Sequence, residues 1–242
     1  MTRFPLFASK VAEAVVLRAD TADNPDMHRR ISLSITLILA CAALLWAAKE
    51  FQMPRANNAK TYPARDEHPK EKVTIAVDPY DMPDKASIFV VKYADHDLLP
   101  LFVVVSNDGN EPILLANMKV QMTFRDRSKG TPATQDDILR RITNIKQHGG
   151  ELPKSYPIPI PKKPKGGIPK GALDELDQAL FKAKAVEPHS TQAGFMFFDI
   201  SDLSNPLAGA TFYATGVRDS HSNDLMYFEV PMEKYLSYQP SK

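Results

Sequence analysis

From Ile31 to Ala48 the chain runs through 18 residues without a single charge. As a helix this stretch is about 27 Å long, close to the hydrocarbon thickness of a thin bilayer. It is apolar on all sides rather than along one stripe, which points to lipid rather than to the core of a water-soluble fold. Ser32, Ser34 and Thr36 fit such a helix because their hydroxyls can bond back to its carbonyls. Trp46 lies near one end, where an indole favours the interface. Ile31, Leu37, Cys41, Leu45 and Trp46 are therefore expected to line a membrane anchor, with the lipid bilayer as the first partner.

Two other readings use the same residues. Met27 could be the true start, which gives a short basic region and then an apolar one, as in a signal peptide. Ile38-Leu39-Ala40-Cys41 has the outline of a bacterial lipobox, with Cys41 as the lipidated residue. All three readings put the remaining chain outside the cytoplasm, periplasmic or extracellular. The positive-inside count is tied: Arg18, Arg29 and Arg30 lie upstream, and Lys49, Arg55 and Lys60 downstream. The nearest charges, Arg29 and Arg30, favour a cytoplasmic N-terminus. Residues 1–30 read as a tail, in which Phe4, Phe7, Val11 and Val15 could form a short surface helix.

Charge and cysteine content narrow the function classes. Lys and Arg number 30 against 29 for Asp and Glu, so no global field gathers nucleic acid. Cys41 is the single cysteine, which excludes an intramolecular disulfide and a multi-cysteine zinc site. The 20 prolines favour loops and edge strands over long helices. Residues 49–71, with Pro54, Pro63 and Pro69 among many charges, read as an extended linker that holds a domain off the membrane.

The domain is expected over 72–236, with a short tail at 237–242. Strand patterns appear at Lys72–Val77, Ser87–Tyr93, Leu98–Val105, Ile113–Phe124, Ala193–Ile200, Ala210–Val217 and Leu225–Val230. Ser106-Asn107-Asp108-Gly109-Asn110 predicts a hairpin turn between the third and fourth. Between the fourth and fifth lies an insertion, 134–185. It carries one helix from an N-cap at Thr134 through Ile138, Leu139, Ile142 and Ile145 to Gly149-Gly150. A second helix carries Leu173, Leu176, Leu180 and Ala183, and a Pro- and Lys-rich stretch separates the two. The fold class is thus mainly β: seven short strands suggest an immunoglobulin-like antiparallel sandwich with a two-helix insertion, preceded by one transmembrane helix.

Leu101 to Phe124, with Asn-Asp-Gly-Asn between two apolar strands, resembles the central hairpin of bacterial Ig-like envelope domains. So does Val186 to Phe195, where Pro188 and small polar residues lead into a Gly-plus-aromatic strand. The resemblance covers about a third of the chain and implies a binding or scaffolding role. The missing cysteine pair and the helical insertion depart from the simple form.

No catalytic, cofactor or metal site stands out, and an enzyme is not expected. Asp95-His96-Asp97 is a tight carboxylate–imidazole cluster, but neighbours in a strand alternate faces. His221, between Ser220 and Ser222, has the composition of a triad without distant partners. His68 and His189 sit beside prolines and read as loop residues, and Gly166-Gly167 lacks phosphate-loop spacing. Lys154, Lys162, Lys163, Lys165 and Lys170 project from a proline-rich stretch and could meet an acidic polymer or an anionic surface. The expectation is an interaction or scaffolding module in the envelope with a protein partner, no cofactor, no nucleic acid and no small-molecule ligand. The alternative is a lipid-anchored protein that binds an acidic polymer through 154–170. Intact mass of the membrane-extracted protein is expected to give the uncut chain. A product processed after Ala47 or Ala48, or carrying lipid on Cys41, would select one of the other readings.

Overall fold

The computed structural model describes residues 51–143, 168 and 170–238. The apolar stretch 31–48 and most of the proline-rich stretch lie outside them.

The described residues are mainly β, in antiparallel sheets with few helices. Four strands form the first sheet in the order β1-β2-β3-β8: Arg65–His68, Val73–Pro79, Leu98–Asn107 and Ser190–Asp199. The second sheet runs β10-β9-β5-β6: Phe228–Pro231, Thr211–Thr215, Lys119–Thr123 and Lys129–Gly130. A small ladder pairs β4 (Ile113–Leu114) with β7 (Ala185–Val186). Four short helices follow the chain: α1 (Pro83–Ala86), α2 (Gln135–Thr143), α3 (Ala172–Ala179) and α4 (Glu233–Leu236).

Period-two alternation builds the core between the sheets. Val73, Ile75 and Val77 of β2, Leu101, Val103 and Val105 of β3, and Met196 and Phe198 of β8 point one way. They meet Val120 and Met122 of β5, Phe212 and Ala214 of β9, and Phe228 and Val230 of β10. The opposite face of the first sheet is also covered. Leu98, Phe102 and Val104 of β3 and Phe195 and Phe197 of β8 pack under Phe51, Tyr80, Phe89, Val91 and Tyr93, with Ile138 and Ile142 of α2 and Leu176 of α3. All ten residues of β3 are consequently buried.

Four sequence expectations change. Residues 51–71, the described part of the expected linker 49–71, are not a spacer. Phe51 is buried and stacks on Phe89 at 5.5 Å, Ala59 and Ala64 are fully buried, and β1 pairs with β2 from Arg65↔Ala76 to His68↔Val73. A stretch this polar joins the fold because the sheet supplies its hydrogen bonds and three small slots take its apolar side chains. Ser87–Tyr93 alternates as expected, with Phe89, Val91 and Tyr93 buried, yet it pairs with no strand. It is a strap lying across a sheet face, held by local bonds such as Phe89 N to Ala86 O at 3.1 Å and with no strand beside it. The carboxylate of Glu175 on α3 serves instead. It accepts from the N–H of Val90, from the N–H of Val91 at 3.4 Å and from the Tyr93 hydroxyl at 2.7 Å. Burial, and then the neighbouring carboxylate, push the Tyr93 phenol far up.

The expected hairpin over Leu101–Phe124 is a crossover between sheets. β3 pairs with β2 and β8, whereas β5 pairs with β6 and β9. No residue from Ser106 to Asn110 has a positive φ. Asn107 builds an arch: its side-chain nitrogen donates to the carbonyls of Glu111 at 2.7 Å and Val186 at 3.1 Å, and its side-chain oxygen accepts from Gly109 N at 2.9 Å. Ile113–Phe124 accordingly breaks into β4 and β5. In the helical insertion, Thr134 Oγ1 accepts from Asp137 N at 3.2 Å, as the N-cap pattern requires. The end expected at Gly149-Gly150 lies outside the described residues. On α3, Leu173 faces solvent and Glu175 faces inward, and the helix stops at Leu180.

The two ends of the insertion also cover the free edge of β8. Ala133 N donates to Phe197 O at 2.7 Å and Phe181 N to Phe195 O at 3.0 Å. Phe181 passes so close that a Cβ on Gly194 would lie 2.4 Å from its Cα. Gly194→Ala is expected to destabilise by about 2 kcal/mol or more through this backbone clash, read from urea unfolding. Glu175→Ala strands two amide donors and a hydroxyl and is expected to cost about 3 kcal/mol. Deleting residues 51–64 should unfold the domain; a linker would be dispensable.

Candidate interaction face

The residues expected to act fall unevenly on the fold. Ile31, Leu37, Cys41, Leu45, Trp46, Lys154, Lys162, Lys163 and Lys165 lie outside the described residues, as does Gly166-Gly167. Lys170 is exposed, just ahead of the N-cap of α3. Among the described residues, no helix is long and apolar enough to cross a membrane, and no group of three or more His, Cys, Asp or Glu could hold a metal ion.

The polar clusters are structural in geometry. Asp95 and His96 belong to a 3-10 turn, Tyr93–His96, that Asp97 ends with φ 54°. Asp97 O accepts from Ile200 N at 2.9 Å, which ties this turn to the end of β8. His221 Nδ1 lies 3.1 Å from Ser220 Oγ and 3.6 Å from Glu111 Oε2, while Ser220 Oγ also bonds that carboxylate. Both contacts converge on one ring nitrogen, and the side chain is 72% exposed. A nucleophilic triad needs the base enclosed and held by a third group on its far nitrogen. Hydrogen bonds from the side chain and amide of Asn223 draw the Asp219 carboxyl below its ordinary value, which fits a hairpin tip. His189 Nε2 sits 3.1 Å from Asn110 Oδ1.

A second imidazole is better built. His68 on β1 stacks on Phe228 at 3.9 Å, with Nε2 3.5 Å from Asp66 Oδ2. Asp66 Oδ2 accepts from Glu229 N at 2.8 Å. Asp66 and His68 line a hollow of about 350 Å³ with Met226, Tyr227, Glu229 and Lys234. The linker reading of 49–71 concealed it. Arg-Asp-Glu-His over 65–68 carries no apolar alternation, so the sequence held no strand signal there.

Beside this hollow lies the outer face of the second sheet. Lys119, Gln121 and Thr123 of β5 and Thr211, Tyr213 and Thr215 of β9 alternate with the buried core residues, as does Glu229 of β10. Tyr213 donates to Glu229 Oε1 at 3.1 Å, and its ring centroid is 6.5 Å from that of Tyr227. Partial burial, then the bonded carboxylate, raise the Tyr213 phenol above its ordinary value. Tyr227 is 52% exposed and Met226 70%. No described helix or strap covers this face, in contrast to the first sheet.

Strand addition is blocked at two edges. On β10 the outward N–H of Glu229 is taken by Asp66, and Pro231 has none to give. On β8 the insertion covers the edge. Asp66→Ala releases the Glu229 amide and the His68 contact, and is expected to cost about 1–2 kcal/mol. It should also produce concentration-dependent self-association on gel filtration as the β10 edge opens. No family model matches the chain, and neither the curated proteins nor the solved structures give a match.

Proposed function

We propose that this chain is a membrane-anchored envelope protein without catalytic activity. In this reading residues 31–48 hold it in the bilayer and an immunoglobulin-like domain outside the cytoplasm serves as an interaction or scaffolding module. Strand order supports the immunoglobulin-like part. β2, β3 and β8 lie in the order of the first, second and fifth strands of that frame, and β10-β9-β5-β6 follows the order of its opposite sheet with one extra edge strand. β1 is an addition, and between β6 and β8 the helices stand where the frame has its fourth strand.

The observation that carries the role is asymmetry of cover. One sheet is sealed on both faces, whereas the other leaves Tyr213 and Gln121 half-buried on its outer face beside the exposed Met226 and Tyr227 that lead into β10. Tyrosine and methionine are enriched in protein interfaces because they bury area with few frozen rotors or adapt to irregular partners. A photo-crosslinking residue at Tyr227 is expected to capture one stoichiometric envelope protein, and the same residue at Asp136 on α2 none. Tyr213→Ala with Met226→Ala should abolish capture with little change in thermal stability. Equal labelling at both positions, or none, would remove the reading. The exposed Lys170 also suits the second reading, an acidic polymer bound through 154–170. Wall-polymer or anionic-vesicle binding that survives neutralising Lys162, Lys163 and Lys165 would exclude it.

A further inference from the structure

We infer that the layer covering the first sheet is the membrane-facing side of the domain, and that Met53, Val90 and Leu173 rest in the lipid headgroup region. The inference rests on the proposed anchor, and the chain itself supplies the geometry. The apolar run ends at Ala48, and Phe51 is already buried, so only Lys49 and Glu50 lie between. Three Cα–Cα steps reach at most about 11 Å. The headgroup layer is about 6 Å thick on each side of the hydrocarbon. A domain tethered at Phe51 therefore cannot rise clear of the lipid surface by more than a few ångströms.

Phe51 also fixes which side faces down. It stacks on Phe89 of the strap at 5.5 Å and meets Phe195 edge-on at 6.4 Å, so it belongs to the covering layer and not to the core between the sheets. The segments joined there each expose an apolar side chain beside a buried one. Met53 follows Phe51 and is 36% exposed, Val90 follows Phe89 and is 37% exposed, and Leu173 on α3 is 46% exposed. α3 is tied to the strap by the bond from Val90 N to Glu175. Exposed charges on these segments have both signs, with the acidic ones in excess: Arg55 and Lys92 against Asp84, Asp95, Asp174 and Asp177. The contact is thus apolar insertion at shallow depth rather than attraction to anionic lipid. It leaves the open face of the second sheet, on the other side of the fold, free for a partner.

The single native cysteine makes the test direct. In a Cys41→Ala background, full-length protein carries an environment-sensitive fluorophore at Val90→Cys, Leu173→Cys or Met226→Cys. Each is placed in nanodiscs of phosphatidylcholine, with or without phosphatidylglycerol, containing a spin-labelled lipid as quencher. Quenching at 90 and 173 is expected to exceed that at 226 by about threefold or more, equally in both lipid mixtures. Equal quenching at all three positions would overturn the membrane-facing assignment and leave the anchor standing. Quenching that needs phosphatidylglycerol and vanishes with salt would replace apolar insertion by charge attraction, and so overturn the inference. Failure of the chain to enter nanodiscs would overturn anchor and inference together.

Discussion

The fold depends on β3. Its ten residues are buried on both faces and paired along both edges, with β2 on one side and β8 on the other. Antiparallel sheets commonly leave one face to water. Here that is impossible, because Phe102, Val104 and Leu98 stand opposite Leu101, Val103 and Val105. A strand apolar on both faces demands two covers. The second sheet supplies one. The other is assembled from pieces far apart in the chain: residues 51–62, the strap, α2 and α3.

That demand explains the aromatic cluster over the first sheet. Tyr80, Phe89, Phe195 and Phe102 meet mostly edge to face, with centroids from 4.9 to 6.2 Å apart. Such arrangements align ring edges with ring faces and add to the area they bury. Burial and the nearby Asp78 carboxylate push the Tyr80 phenol up to about 12, so it stays neutral inside this layer. Lys85 caps the margin, 5.0 Å from the rings of both Tyr80 and Tyr235 and paired with Asp78. The outer face of the second sheet has no such cover, and its Tyr213 is only half-buried.

Much of this was legible in the sequence. The central strand announced itself by having no polar face, and the N-cap at Thr134 by its spacing to Asp137. Strands β8, β9 and β10 followed the alternation of Phe, Tyr and Val. What was not legible was the partner of each segment. Val73–Val77 and Ser87–Tyr93 alternate alike, yet one enters a ladder and the other crosses a sheet face, a difference decided by long-range geometry. The Asn-Asp-Gly signal marks a bend without the positive φ that a hairpin turn needs, and the Asn107 amide bonds Val186, 79 residues away, in place of a local hairpin. The linker reading failed because polarity measures what a segment can bury alone, not what a neighbouring sheet can bond. The outer face of the second sheet was hidden for a related reason, since outward residues of an ordinary strand look like any solvated surface.

The buried Glu175 carries a consequence for biogenesis. Its carboxylate closes on amides more than 80 residues earlier in the chain. During synthesis the segment around Val90 emerges first and has no ladder to join, so it waits unclasped until α3 has been made and delivered. Over that interval Phe89 and Tyr93 stay open to water or to a chaperone. The strap's aromatic floor is later still, since Phe195 and Phe197 of β8 follow Glu175 in the chain, so a product truncated before β8 would present a greasy flank that quality control can recognise.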